Sequence, residues 1–219
     1  MKKRILVFAS GDKIGGGSGF QEMVERSRTE PAILDAEIVA VVCNYEHGGV
    51  WERAHQLEVP FIYFPGPYTA ESYQQIFEES RADYVMCSGW KKQVFGLKEN
   101  LTINIHPGPL PRFGGKGMYG RNVHEAVIKA YRRGEIKQSA VCIHFVNPEY
   151  DKGAGIVQIP VTIRHNDSAE TLSARILKVE HNYQSLILNE IVNGRIFLDK
   201  SGNVLFENKE LSRFAFINE

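Results

Sequence analysis

The chain has 219 residues, of which 43% are hydrophobic and 24% charged, the balance of an ordinary globular protein with room for one sizeable α/β domain. Lysine plus arginine (26) equals aspartate plus glutamate (26), and this zero formal net charge argues against a general nucleic-acid binder. No apolar stretch approaches the roughly 20 residues that cross a bilayer, so we expect neither a nucleic-acid partner nor a membrane segment.

Short apolar runs alternate with amphipathic segments along the chain. The runs are rich in Val, Ile and aromatic residues and predict strands covered on both faces, at 4–9, 37–43, 60–64, 83–87, 101–105 and 140–146. The segments between them predict helices at 19–28, 50–58, 70–81 and 121–133. This alternation predicts a doubly wound, mostly parallel α/β sheet in a single domain, 1–219.

The C-terminal part predicts a long helix and a hairpin. Asp167-Ser168 supplies an N-cap for a helix over 168–193, and Asn193-Gly194 supplies its stop. The apolar runs 196–198 and 204–206 flank a polar turn, which predicts a terminal hairpin.

The cysteines indicate the redox environment. Cys43, Cys87 and Cys142 are an odd number, lie far apart and each sit in an apolar run. We interpret them as reduced core residues of a cytoplasmic protein, and neither as a disulfide framework nor as a metal site.

A glycine-rich segment, residues 10–20, follows the first predicted strand and opens a helix; we call it the glycine loop. Glycines let a backbone approach a ligand closely, and a helix N-terminus offers free N–H groups to an anion. The segment therefore predicts a phosphate site. Its spacing fits neither common nucleotide motif, and a flexible turn or a dinucleotide loop stays open as an alternative.

Asn104-Ile105-His106-Pro107 ends the fifth predicted strand, where ligands bind in open parallel sheets. Asn104 and His106 are two residues apart, so their side chains share one face of the strand. The prolines at 107, 109 and 111 restrict the backbone that follows. An amide that donates to a developing oxyanion and an imidazole that shuttles a proton predict an acyl-transfer type of site.

These motifs together resemble the glycinamide ribonucleotide formyltransferases. The resemblance rests on Asn104-Ile105-His106-Pro107 with Leu110-Pro111, on the glycine-rich 114–120, on the glycine loop, on the run His144 to Gly153, and on Glu180-His181 in the long helix. It spans about residues 4–195 and implies a Rossmann-like formyltransferase fold. By itself, Asp151 before Lys152-Gly153 reads as a turn residue.

The resemblance implies formyl transfer from 10-formyltetrahydrofolate to the amine of glycinamide ribonucleotide, without a metal. It gives the catalytic roles to Asn104, His106 and Asp151, with Asp151 expected to raise the pKa of His106. It assigns the substrate to Gly17, Ser18, Gly19 and Glu180, and the cosubstrate to Lys91, Lys92, Gln93, Val94, Asn104 and Tyr150. Residues of about 1–100 would form a phosphate-binding half and about 101–195 a catalytic and folate-binding half.

Some features depart from the family's pattern. Gly19 stands where the family often has Asn, the glycine loop carries extra residues, and Lys91-Lys92-Gln93 replaces a more apolar stretch. Other acceptors, such as an amino-sugar nucleotide or methionyl-tRNA, and a non-catalytic ligand-binding role stay open. We expect small-molecule substrates and a monomer or homodimer.

Overall fold

The computed structural model describes residues 1–207 and 210–216. Its strands are β1 Lys3–Phe8, β2 Ala36–Cys43, β3 Phe61–Tyr63, β4 Tyr84–Ser88, β5 Thr102–His106, β6 Gln138–Phe145, β7 Gly155–Thr162, β8 Ile196–Leu198 and β9 Val204–Phe206. Its helices are α1 Ser18–Ser27, α2 Gly49–Gln56, α3 Ala70–Ser80, α4 Arg121–Arg132 and α5 Ala169–Val192, with short 3₁₀ turns at Glu99–Leu101 and Leu211–Phe214.

Seven of these strands form one sheet in the order β3-β2-β1-β4-β5-β6-β7. β1 to β5 pair in parallel, whereas β6 and β7 are antiparallel additions at one side. The predicted doubly wound, mostly parallel sheet is confirmed. Because β1, β4 and β5 run in the same direction, the loops that follow them meet at one edge of the sheet.

β7 was not predicted from the sequence. This strand contains Pro160, which lies opposite Ala140 of β6 and is exposed. Proline cannot donate to a β-ladder and is therefore confined to edge strands and bulges. β7 is the last strand of the sheet, so Pro160 is compatible with this position.

The predicted long helix and hairpin are confirmed. The Ser168 hydroxyl accepts from the Thr171 N–H, and the Thr171 side chain accepts from the Ser168 N–H, which is a complete capping box. The helix ends at Asn193 as the C-cap, followed by Gly194 at φ 74°. β8 and β9 pair in antiparallel fashion and form the hairpin.

Helices cover both faces of the sheet. Ile5 and Val7 of β1 pack in one apolar cluster with α1, α4 and α5, whereas Leu6 and Phe8 pack in a second cluster with Tyr73. This alternation is the side-chain period of a strand that is buried on both faces. Within the described ranges, no helix is both long and apolar enough to cross a membrane.

Candidate active site

A cavity of about 510 Å³ lies at the carboxyl edge of the parallel strands. The predicted residues that line it are Gly17, Ser18, Gly19, Lys91, Asn104, His106, Tyr150, Asp151 and Glu180. The structure therefore brings together side chains that lie up to 163 positions apart, with the glycine loop at one wall and β5 at another.

Asn104 lies between two partners. Its Nδ2 is 3.0 Å from Nε2 of His144 and 3.4 Å from Oδ1 of Asp151. Nδ1 of His144 is 2.7 Å from the Phe145 carbonyl oxygen, and a carbonyl can only accept, so Nδ1 carries the proton. Nε2 of His144 is then the acceptor, and both hydrogens of the Asn104 amide are engaged.

His106 is 3% exposed and is held through one ring nitrogen. Its Nε2 donates to the Phe113 carbonyl at 2.8 Å. Its Nδ1 lies 3.7 Å from Oδ2 of Asp151. An imidazolium at this position has a carbonyl acceptor on one side and a carboxylate at ion-pair distance on the other, while a neutral ring presents its Nδ1 lone pair toward the carboxylate.

Burial controls the protonation of this cluster. It lowers the pKa of His106 below the ordinary 6.5, and Asp151 and the Phe113 carbonyl offset that effect only in part. Asp151 acts in the expected direction, but the net pKa of His106 falls because loss of hydration outweighs the nearby charge. Burial also acts to raise the pKa of Asp151, but the nearby His106 and the hydrogen bond from the Gly115 N–H lower it, so the carboxylate is ionised at neutral pH.

The Asp151 turn depends on glycines around it. Asp151 has a left-handed φ of 53°, and its Oδ2 accepts from the Gly115 N–H at 2.9 Å. A Cβ on Gly114 would lie 2.9 Å from Cβ of Asp151, and one on Gly153 would lie 1.9 Å from the Phe145 carbonyl oxygen. These close approaches explain why the turn after β6 needs glycine two residues after Asp151.

The glycine loop delivers the start of α1 to the cavity. Gly17 is the N-cap, with a left-handed φ of 80°, and no side chain caps the helix. The first N–H groups of the helix are thus available to an anion. The Asp12 carboxylate accepts from the N–H groups of Ile14 and Gly15 and shapes the tip of the loop.

Gly19 contacts a buried polar group below the loop. The Gln184 side chain donates to the Gly19 carbonyl at 2.9 Å and accepts from the Ser88 hydroxyl at 3.2 Å. A Cβ at position 19 would lie 2.2 Å from the Ser88 Oγ. The space at position 19 therefore suits glycine, which stands where the family often has Asn.

The long helix supplies the last predicted substrate residue. Glu180 is half-buried on the cavity wall, and burial raises its pKa to about 7. The next residue, His181, places Nε2 at 3.3 Å from the Ser18 hydroxyl at the start of α1. Both residues thus face the cavity between the glycine loop and β5.

The other predicted cosubstrate residues line a neighbouring pocket of about 50 Å³. It contains Lys92, Gln93 and Val94 and shares Asn104 and Tyr150 with the main cavity. The Gln93 side chain donates to the Pro148 carbonyl at 2.5 Å and so joins the two walls of this pocket.

Two residues, one lining the cavity and one behind the glycine loop, were not predicted from the sequence. His124 is 3% exposed, lines the cavity and has a buried Nδ1 with no partner among residues 1–207 and 210–216. The sequence pattern that could have indicated it is a polar residue on the buried face of a helix, beside Val123 and Val127. Arg53 carried no motif, but it donates to the Gly16 carbonyl beneath the glycine loop.

No group of three or more His, Cys, Asp or Glu side chains in the described part of the chain is arranged to hold a metal ion. The site offers instead an amide, an imidazole and a carboxylate at one end and free backbone N–H groups at the other. This arrangement at the edge of a parallel sheet defines a group-transfer enzyme of the α/β class.

The comparisons with known proteins agree with this class. The formyl transferase family model matches residues 3–188, and the chain belongs to that family. It is 32% identical over 220 residues to a phosphoribosylglycinamide formyltransferase, chloroplastic, of Arabidopsis thaliana, covering 95% of this chain and 72% of the relative. It is 31% identical over 203 residues to the Bacillus subtilis phosphoribosylglycinamide formyltransferase, covering 87% and 95%.

A solved structure of phosphoribosylglycinamide formyltransferase from Anaplasma phagocytophilum has a TM-score of 0.75 and 26% identity to this chain. The match covers 95% of this chain and 96% of that one. The similarity therefore extends over nearly the whole chain, including the antiparallel strands and α5.

Proposed function

We propose that this chain transfers a formyl group from 10-formyltetrahydrofolate to the amine of glycinamide ribonucleotide, a step of purine biosynthesis. The names of the relatives support this assignment. The observation that carries it is the position of Asn104, His106 and Asp151 in one cavity with the glycine loop. A substrate with a phosphate at one end and a nucleophilic amine at the other suits that geometry.

The substrate phosphate binds the free N–H groups at Gly17, Ser18 and Gly19. A helix N-terminus carries partial positive charge and favours such an anion. Glu180 receives the glycinamide end. Because burial raises the pKa of Glu180 to about 7, its carboxylate can take a proton from the ammonium form of the substrate. This proton transfer leaves the amine nucleophilic.

The amine attacks the formyl carbon, and the carbonyl electrons move to oxygen in a tetrahedral intermediate. Burial makes the imidazolium the minor form of His106 in the free site at neutral pH, and the developing oxyanion favours it. In this form Nδ1 donates to the oxyanion while Nε2 stays bonded to the Phe113 carbonyl. Asp151 supports the imidazolium charge from 3.7 Å and orders a water molecule that relays a proton from the attacking amine to the leaving nitrogen of the cosubstrate. The bond between the formyl carbon and that nitrogen then breaks.

Asn104 can act in this step either as a donor to the oxyanion or as an acceptor from the amine. Its Nδ2 reaches the oxyanion only by leaving His144 or Asp151, because both amide hydrogens are engaged. Its Oδ1 can accept a hydrogen from the attacking amine without any such exchange. The present geometry favours the role of acceptor from the amine.

The cosubstrate lies along Lys91, Lys92, Gln93 and Val94 and against Asn104 and Tyr150. The neighbouring pocket, at about 50 Å³, is much smaller than a typical small-molecule site of about 300 Å³ or more. The hydrogen bond between Gln93 and Pro148 therefore opens when the cosubstrate enters. The formyl group arrives already attached to the cosubstrate, so the reaction needs no metal.

The remaining parts of the proposal concern organisation and location. We propose a single domain, 1–219, whose first part of about 1–100 binds phosphate and whose second part of about 101–195 carries the chemistry. The three free cysteines are buried, which supports a cytoplasmic protein. Light scattering at several concentrations distinguishes a monomer from a homodimer.

A steady-state assay with 10-formyltetrahydrofolate tests the proposal, with glycinamide ribonucleotide and an amino-sugar nucleotide compared as acceptors. We expect turnover of the ribonucleotide alone. If the folded protein turns over only the amino-sugar nucleotide, the proposed acceptor is wrong. The variants His106→Ala and Asp151→Asn should each lose at least about a hundredfold in kcat, the cost of one lost group at an oxyanion site.

A further inference from the structure

The base of the glycine loop is held by one side chain from another element. Arg53 lies on α2 and is half-buried. Its Nε donates to Oε1 of Gln21 on α1 at 2.9 Å. Its Nη1 donates to the carbonyl oxygens of Gly16 in the loop and of Gly49 in α2, each at 3.0 Å. A single guanidinium thus joins the loop to the two helices beside it.

The loop needs such an anchor because of its composition. Glycine loses more conformational freedom on ordering than any other residue, and residues 15–17 are all glycine. Asp12 bonds the N–H groups of Ile14 and Gly15 and therefore holds only the tip. Toward the helix start, the backbone of Gly16 pairs with Gly11 in an isolated antiparallel bridge, and Arg53 is the side chain that donates to the Gly16 carbonyl, directly before the N-cap Gly17.

The start of α2 packs closely on the same backbone. A Cβ on Gly49 would lie 2.6 Å from the Gly15 carbonyl oxygen, and one on Gly17 would lie 3.1 Å from Cγ2 of Val50 and 3.5 Å from Cδ of Arg53. The loop thus rests against α2, and the Arg53 side chain runs beside Gly17. Within residues 1–207 and 210–216 no carboxylate forms an ion pair with Arg53, so its positive charge adds to that of the helix N-terminus.

We propose that Arg53 is a positioning residue that fixes the glycine loop in its phosphate-binding shape and so sets the affinity for a phosphate-bearing acceptor. This inference rests on the proposed function for the identity of that acceptor. Arg53 acts through the backbone of Gly16 and Gly17 and does not line the cavity itself. Its planar fork directs hydrogens at three acceptors, whereas the flexible ammonium of lysine is a point charge.

Arg53→Ala and Arg53→Lys test the proposal in the full-length protein. We expect the KM for glycinamide ribonucleotide to rise about tenfold or more in both variants, as for the loss of hydrogen bonds to a charged group. The KM for 10-formyltetrahydrofolate and kcat should stay unchanged. Glycinamide riboside, which lacks the phosphate, should be used equally well by wild type and variants.

Guanidinium ion at tens of millimolar should restore ribonucleotide affinity to Arg53→Ala, and methylammonium should not. Arg28→Ala is the matched control, since Arg28 donates to the Leu57 carbonyl at 2.8 Å beyond the other end of α2. That variant should keep the wild-type KM and show no response to guanidinium. A wild-type KM in Arg53→Lys, or an equal loss with the riboside, would overturn the proposal.

Hydrogen exchange of the unliganded protein separates this inference from the proposed function. The amides of residues 15–19 should exchange faster in Arg53→Ala than in wild type, with the rest of the sheet unchanged. Unchanged exchange at 15–19 overturns the positioning role whatever the substrate. If exchange rises but wild type does not use the ribonucleotide, the loop anchor stands and the proposed acceptor is wrong.

Discussion

Asn104 and His144 lie directly opposite each other on β5 and β6, and the Asn104 amide donates to Nε2 of His144 at 3.0 Å. The bond from Nδ1 of His144 to the Phe145 carbonyl fixes the tautomer that makes Nε2 an acceptor. A histidine that is not itself at the reacting end thus decides where the hydrogens of Asn104 point. A hydrogen bond from such a supporting residue holds a reactive group in one orientation.

Replacing His144 should therefore lower the rate without blocking substrate binding. In His144→Phe the Asn104 amide loses its main acceptor, and we expect kcat to fall between about tenfold and a hundredfold, the range for one lost buried hydrogen bond. Both KM values should change much less. The exposed His165→Phe serves as the control and should keep the wild-type rate. An unchanged kcat in His144→Phe would show that Asn104 needs no such orientation.

The protonation of His106 can be followed by NMR titration of the free enzyme. Burial lowers its pKa and Asp151 raises it, so the midpoint should lie below 6.5 and should fall further in Asp151→Asn. Asp12→Asn, which removes a carboxylate committed to the tip of the glycine loop, should leave the midpoint in place. A midpoint above 6.5 in wild type would contradict the dominance of burial.

His124 should make the protein less stable in acid. Burial lowers its pKa from 6.5 to about 4, so the unfolded chain binds its proton first and stability is lost as the pH falls through this window. The shift corresponds to about 2.5 kcal/mol at pH 4.5 relative to neutral pH.

Urea unfolding of wild type and His124→Leu at pH 7.5 and about pH 4.5 measures this contribution to the free energy of unfolding. The contribution should be absent from the variant. Acid-titrating carboxylates contribute equally to both proteins and cancel in the comparison. His165→Leu, at an exposed position, should lose as much stability as wild type does. An equal loss in His124→Leu would remove His124 as the cause.

The space around Gly19 predicts a coupled pair of substitutions. In Gly19→Ala the new methyl group meets the Ser88 Oγ, so the start of α1 must shift. We expect the KM for the acceptor to rise about tenfold, as for moderate overpacking. Ser88→Ala removes the clashing oxygen, and the double variant should recover most of the loss. If the two effects simply add, the residues do not interact in the way this contact requires.

The sequence by itself determined the parallel part of the sheet, because buried strands and amphipathic helices have different periods that are visible locally. The same is true of Asn104 and His106, whose shared face follows from a spacing of two on one strand. The Ser168 cap and the Gly194 stop of α5 are equally local, since each needs only a few neighbouring residues.

The tertiary structure decided what depends on long-range pairing. Asp151 meets His106 only because β6 returns antiparallel beside β5, and nothing near Asp151 in the sequence indicates that register. The net fall in the pKa of His106 depends on burial by distant elements, which outweighs the carboxylate. Arg53 contacts the glycine loop across 37 positions through backbone carbonyls, which every residue carries, so no side-chain pattern could have revealed it.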